Sequence, residues 1–221
     1  MSAYAKIPRL AGAAFLAIVL AGVSLPAQAR PLEVKITKDI PYVEFKLGGK
    51  TIRIQRIQDK THKLTGSYTR TSRACPPHCI QPLVPVAGVH VAGELELLSF
   101  LKEKVAKNKG VLIDARIPQW YRKGTIPGAV DIPFPLFARD NPYRDRILAV
   151  LGARKLEDGT WDFGGARELM LFCNGPWCLQ SPTAIRNLVA AGYPPEKLYY
   201  YRGGMQNWLL LGLSVHVPGK R

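Results

Sequence analysis

A short apolar run, Glu168-Leu-Met-Leu-Phe172, leads into Cys173-Asn-Gly-Pro-Trp-Cys178-Leu-Gln-Ser181 and then into Pro182-Thr-Ala-Ile-Arg-Asn-Leu-Val-Ala-Ala191-Gly192. This order predicts a buried strand, a short loop and a helix, with Ser181 as N-cap, Pro182 at the first helical position and Gly192 as the left-handed stop. A thiol at Cys173 would then face a ring of loop amides and the positive end of a helix dipole. Both favour thiolate, so Cys173 is read as a nucleophile rather than as an inert buried cysteine.

The flanking pattern sets the architecture. From Gly93 onward, Leu95, Leu97, Leu98, Leu101 and Val105 space out an amphipathic helix that Gly110 is expected to stop. Val111-Leu-Ile-Asp114 reads as a buried strand ending in a carboxylate, Ala129-Val-Asp-Ile132 as another strand, and Arg144 to Gly152 as a helix. Leu156-Glu-Asp-Gly-Thr-Trp161 carries an Asp-Gly hairpin signal. Lys197-Leu-Tyr-Tyr-Tyr201 is a strand, and Gly203-Gly204 opens a helix through Leu211. Strands alternating with helices predict an α/β fold, a parallel sheet with helices on both faces. Reactive groups of such sheets gather beyond the carboxyl ends of the strands, which puts Asp114 and Cys173 on one edge.

Before this domain, residues 30–73 read as a small β-rich region: Leu32 to Thr37, Tyr42 to Phe45 and Thr51 to Gln55 have strand character, with Gly48-Gly49 as a turn. Forty-odd residues make a marginal core, so this region is expected to lean on the larger domain. Residues 74–92 read as an irregular connector containing Cys75-Pro-Pro-His-Cys79, and residues 93–217 as the α/β domain.

Residues 1–29 read as a secretory signal, with Lys6 and Arg9 ahead of an apolar stretch and Ala27-Gln-Ala29 at a cleavage site. Cleavage after Ala29 and a periplasmic address are the expectation, with an uncleaved membrane anchor as the alternative. Beyond that segment the chain has 29 Lys and Arg against 16 Asp and Glu. Such a balance attracts anions: small anionic substrates, anionic lipid headgroups or an acidic partner, with nucleic acid least favoured for an exported protein.

An oxidising compartment permits disulfides among Cys75, Cys79, Cys173 and Cys178, and the sequence alone allows three full pairings. The close pairs are the natural first assignment. For Cys75 and Cys79 the alternatives are a soft-metal site with His78 and a relay to Cys173; a local disulfide, with no metal, is expected first. Cys178 is read either as a packed small side chain or as a resolving thiol that attacks a persulfide or sulfenic acid on Cys173.

The ordered set Val111-Leu-Ile-Asp114-Ala-Arg116, Gly124-Thr-Ile-Pro-Gly128-Ala129, the Cys173 strand, loop and helix, Ala191-Gly-Tyr193, and Arg202-Gly-Gly204 with Trp208 resembles the rhodanese family of sulfurtransferases. The resemblance implies that Cys173 accepts a sulfane sulfur from a small anionic donor such as thiosulfate. It then passes this sulfur to a thiol or protein acceptor, without a cofactor. It also implies an anion cradle from the backbone of Asn174, Gly175, Pro176, Trp177, Cys178, Leu179 and Gln180, with Asp114 and Arg116 as supports. Two departures stand out: Asn174 to Ser181 contains no Arg or Lys, and the loop is about two residues longer than in a typical small member. Arg116, Arg186 and Arg202 are the candidates for the missing charge, and Thr125, where the family often has His, is given no role. Related phosphatases place an arginine six residues after the cysteine, where this chain has Leu179; without that bidentate clamp a phosphate dianion is poorly held. A thiol–disulfide redox protein using Cys173 and Cys178, and a non-catalytic binding module, are the alternative functions; peripheral contact with an anionic membrane is a further expectation.

Overall fold

Val43, Phe45 and Ile54 are buried between exposed neighbours, and that period of two makes a hairpin of β1 (Tyr42–Leu47) and β2 (Lys50–Gln55). Gly48 and Gly49 both have positive φ, 54° and 75°, the backbone that a two-residue hairpin turn requires. The computed structural model describes Met1 and residues 32–219. Apart from Met1, the export segment expected over residues 1–29 lies outside the described residues, and among the described residues no helix is long and apolar enough to cross a membrane.

The strand expected over Leu32 to Thr37 does not form. Gln58 occupies its backbone instead, donating to the Val34 carbonyl (2.9 Å) and accepting from the N–H groups of Glu33 and Val34. The bend closes through Ile36 and Thr37 N–H groups on the Ile40 carbonyl.

Five parallel strands follow: β3 (His90–Ala92), β4 (Gly110–Asp114), β5 (Ala129–Asp131), and, after the short antiparallel pair β6 (Arg154–Lys155) and β7 (Trp161–Asp162), β8 (Glu168–Phe172) and β9 (Leu198–Tyr201). Their order is β3-β9-β8-β4-β5, every pairing parallel, as the alternation of strands with helices predicts. Alternate residues of β8 sort to the two faces. Met170 and Phe172 join one core with α1 (Glu94–Phe100), the π-helical turn Leu101–Val105, α5 (Gly204–Leu210) and the hairpin residues Val43, Phe45 and Ile54. Leu169 and Leu171 join the other, with α3 (Arg144–Val150) and α4 (Gln180–Ala190). The hairpin therefore buries its apolar face against the same layer as α1. Further contacts tie it to the chain end: the Gln55 N–H donates to Ser214 Oγ at 3.0 Å and the Ile57 N–H to the Gly212 carbonyl at 2.7 Å.

The first helix departs from its expected stop. It widens out through the π-helical turn, Asn108 takes the left-handed conformation (φ 56°), and Gly110 already belongs to β4. Leu95, assigned to its apolar stripe, is half exposed.

Candidate active site

The register aligns Asp114, Phe172 and Tyr201 at the carboxyl ends of β4, β8 and β9, so Cys173 emerges beside Asp114 on one edge of the sheet. The loop it opens is held from above by α5. The Met205 N–H donates to the Cys173 carbonyl and the Gln206 N–H to the Asn174 carbonyl, each at 2.9 Å. So close an approach needs Gly204 (φ 56°): a Cβ there would lie 2.4 Å from the Cys173 carbonyl oxygen.

Two free thiols, Cys173 and Cys178, both buried, face each other across the loop. The Cys173 S–H donates to the Cys178 carbonyl at 3.3 Å; burial, with Cys178 beside it, pushes its pKa well above the ordinary value, while the Ser181 hydroxyl and peptide N–H act to lower it. Ser181 is not the N-cap. Leu179 holds that position, and the Ser181 hydroxyl, inside the first turn of α4, donates to Cys173 Sγ at 3.1 Å. Pro182 is third in the helix, still within the turn whose N–H groups lack intrahelical partners. Gly192 (φ 95°) ends the helix in the left-handed conformation.

The donors of the loop converge on Cys178. Burial acts to raise its pKa, but hydrogen bonds from the Cys173 thiol, from the peptide N–H groups of Asn174 and Gln180, and from the Asn174 side chain outweigh it and bring the value to about 7. Asn174 Nδ2 donates to Cys178 Sγ at 3.7 Å, and the Cys178 S–H donates to Gln180 Oε1, also at 3.7 Å.

Asn174 is oriented from the N-terminal region. The Tyr68 hydroxyl donates to Asn174 Oδ1 at 2.8 Å and accepts from Arg116 Nη1 at 3.2 Å. Burial, opposed by Arg116, pushes the Tyr68 phenol up to about 12, so it remains a donor. Arg116 is itself fully buried on Asp114, with Nε to Oδ1 at 2.8 Å and Nη2 to Oδ2 at 2.6 Å. Thr125, which carries no role in the sequence reading, donates to Asp114 Oδ2 at 2.7 Å. Asp114 and Arg116 thus reach the loop through Tyr68 and touch neither sulfur.

The outer side of the loop is covered by residues 73–81. Cys75 and Cys79 form a disulfide, which takes up both sulfurs that a metal would need. Among the described residues no cluster of three or more His, Cys, Asp or Glu side chains is arranged for a metal ion. The Gln81 N–H donates to the Pro176 carbonyl (2.9 Å), Arg73 lies 4.1 Å over the Trp177 ring and His78 packs on the same indole. Trp177 Nε1 donates to Gln206 Oε1, the side chain that also fills the space beside Gly175. A cavity of about 570 Å³ opens here, lined by Arg73, Cys75, His78, Cys79 and Trp177. Of the basic residues considered for an anionic donor, Arg202 is committed to the Gln81 carbonyl, Arg116 to Asp114, and Arg186 is exposed on α4 beside Thr183. Arg73 is the basic side chain against the loop. No local pattern marks Tyr68 or Arg73, because their contacts cross about a hundred residues of sequence.

Residues 97–211 match the family described as Rhodanese-like domain. A curated relative, an HTH-type transcriptional regulator of Mycobacterium tuberculosis, is 28% identical over 135 residues, 60% of this chain and 50% of the relative. The chain thus spans half the length of the curated relative it matches. Among solved structures, similarity extends to BH2092 from Bacillus halodurans (17% identity, TM-score 0.42, 57% of this chain and 76% of that one). It also extends to a thiosulfate sulfurtransferase from Pseudomonas aeruginosa (21%, 0.40, 60% and 21%) and to a human single-domain sulfurtransferase (24%, 0.37, 54% and 94%).

Proposed function

The chain belongs to the rhodanese-like domain family, and from that premise we propose that it is a sulfurtransferase working through the Cys173–Cys178 loop. A loop thiolate attacks the sulfane sulfur of an anionic donor such as thiosulfate. The donor's S–S bond breaks, sulfite leaves with the electron pair, and a protein persulfide remains. A nucleophilic thiol then attacks the outer sulfur and carries it away, returning the cysteine. The observation that carries this reading is the pair of free thiols at the carboxyl edge of the sheet, with peptide N–H groups gathered on one sulfur.

The leader pattern of residues 1–29 and the Cys75–Cys79 disulfide support a periplasmic site of action. The basic composition supports an anionic donor and peripheral contact with anionic lipid, while the acceptor is a thiol, free or on a protein. The test is intact-mass analysis of reduced protein treated with thiosulfate. A gain of one sulfur, discharged by added thiol, is expected; no gain with any sulfane donor removes the reading and leaves a binding module. The closeness of the two free thiols, with the Cys173 S–H on the Cys178 carbonyl at 3.3 Å, favours thiol–disulfide exchange as the second reading. In that case mild oxidant would form a Cys173–Cys178 disulfide and no donor would load sulfur.

A further inference from the structure

Resting on the sulfurtransferase reading, we propose that the cavity between residues 73–81 and the reactive loop is the binding site for the anionic sulfane donor. Arg73 is then the specificity-determining residue that holds the donor's sulfonate end.

The positive charge in this cavity has no counter-ion in the protein. The walls include Arg73, Cys75, His78, Cys79, Ile80 and Trp177. No Asp or Glu occurs between Asp59 and Glu94, nor between Glu168 and Glu196, so both segments that enclose the cavity are free of carboxylates. None of the ion pairs among the described residues involves Arg73. Its guanidinium places Nη2 on the Ser67 carbonyl at 2.9 Å, while Nε is buried with no partner in the protein. A buried N–H of a charged group is costly to leave unpaired, and an oxyanion in the cavity satisfies both its hydrogen and its charge.

Packing fixes where this cation sits. The guanidinium carbon lies 4.1 Å over the Trp177 indole, a stacking that a planar cation makes well. The segment that carries Arg73 is fastened to the loop by the Gln81 N–H on the Pro176 carbonyl at 2.9 Å. Trp177 lies between Cys173 and Cys178 in that loop and directly precedes Cys178. A thiosulfate whose sulfonate oxygens engage Arg73 thus lies against the loop that carries both thiols, with its outer sulfur as the end left free for attack. The chemical step is unchanged: the loop thiolate takes the outer sulfur, and sulfite leaves Arg73 with the electron pair. Arg73 precedes residues 97–211, which match the family, so the charge absent from Asn174 to Ser181 is supplied from outside the matched domain.

The test compares wild type, Arg73→Met and Arg73→Lys, each with the Cys75–Cys79 disulfide intact. Met keeps an unbranched stem over the indole and removes the charge, whereas Lys keeps the charge and loses the planar fork. Each protein is loaded over a range of thiosulfate concentrations and followed by intact mass; discharge of the loaded protein to 2-mercaptoethanol, a neutral thiol, is then timed. Arg73→Met should raise the thiosulfate concentration for half-maximal loading by about 10- to 100-fold, the range for losing a hydrogen bond to a charged group, with discharge at the wild-type rate. Arg73→Lys should recover part of that loss. Binding is read separately from the fluorescence of Trp177, identified by its absence in Trp177→Phe. At constant ionic strength, sulfate, a tetrahedral dianion without a sulfane sulfur, should change that signal saturably in wild type and not in Arg73→Met. Half-maximal loading unchanged in Arg73→Met, or no saturable response to sulfate in wild type, overturns the donor site and leaves the sulfurtransferase reading intact. Discharge slowed as much as loading also overturns it, since Arg73 would then support the loop rather than the donor. Wild type that binds sulfate yet takes no sulfur from any sulfane donor removes the sulfurtransferase reading, and the donor assignment with it.

Discussion

Tyr68 and Asn174, 106 residues apart in sequence, share a 2.8 Å hydrogen bond that places the N-terminal region in contact with the reactive loop. The phenol fixes which end of the Asn174 amide faces Cys178. In Tyr68→Phe the ring packing stays and that constraint goes. The variant should lose about 2–3 kcal/mol of stability, since both hydrogen bonds of the phenol go and one of them comes from a charged guanidinium. The larger consequence is electrostatic: an amide free to turn is a weaker donor, so the alkylation midpoint of Cys178 should rise. A rise of about one unit lowers the thiolate fraction at pH 7 about 5-fold, with sulfur loading falling in step. An unchanged midpoint would show that Asn174 is oriented by something other than Tyr68.

The buried pair beneath Tyr68 carries more of the stability. Arg116 is 1% exposed and Asp114 0%, so Asp114→Ala leaves an unpaired guanidinium in the protein interior. Chemical denaturation should register a loss of about 3–5 kcal/mol. Thr125→Val removes a single donor to the same carboxylate and should cost about 1–2 kcal/mol. Equal losses for the two variants would mean that the ion pair contributes no more than its hydroxyl neighbour.

Gly204 seats α5 on the loop. An alanine there would need a positive φ and would press its Cβ on the Cys173 carbonyl oxygen and the Gly175 nitrogen, both backbone atoms. Gly204→Ala should destabilise by at least about 1–3 kcal/mol, the scale of strain at such positions. It should also displace the loop, slowing alkylation of Cys178 at constant pH. A variant with wild-type melting behaviour would show that α5 can withdraw without loss.

What was legible in the sequence was what local patterns encode. The apolar runs of β4, β8 and β9 mark their strands, Gly192 ends α4 as its sequence requires, and the Asp-Gly signal gives β6 and β7 their turn. The loop from Cys173 to Cys178 was equally visible. The assignment of donors to sulfurs was not, because it depends on where the loop turns rather than on which residues it contains. Ser181 is a good N-cap residue by type, yet the loop brings Cys173 Sγ within 3.1 Å of its hydroxyl and that contact wins. Tyr68 and Arg73 were invisible for a simpler reason: each acts across about a hundred residues of chain that no window of sequence spans.

The strap at residues 73–81 is fastened by the Cys75–Cys79 disulfide and covers Pro176 and Trp177. Cys75→Ser with Cys79→Ser should leave the sheet intact, since neither cysteine belongs to either core. Closing so short a loop is worth about 2 kcal/mol by chain entropy. The loss should appear as local opening: faster amide exchange at residues 174–178 and faster alkylation of Cys178, with the pH midpoint unmoved. Unchanged exchange in the loop would separate the strap from the site.

The two sulfurs also leave a signature in stability against pH. Cys178 titrates at about 7 when folded against an ordinary value of 9.0, so between these values the unfolded chain holds a proton that the folded chain has released. Stability contributed by this group is fully present above pH 9 and is lost as pH falls through 7; it therefore rises with pH across that window, by at most about 1.4 kcal/mol per unit and about 3 kcal/mol in all. Cys173 acts in the opposite sense: its folded value lies above 9.0, so above that pH the unfolded chain loses a proton that the folded chain keeps, and stability declines. The difference in unfolding free energy between wild type and C178A, measured by urea titration from pH 6 to 10, should climb between pH 7 and 9 and then level off. A difference that stays flat across that window would mean that Cys178 is not held as an anion in the folded protein.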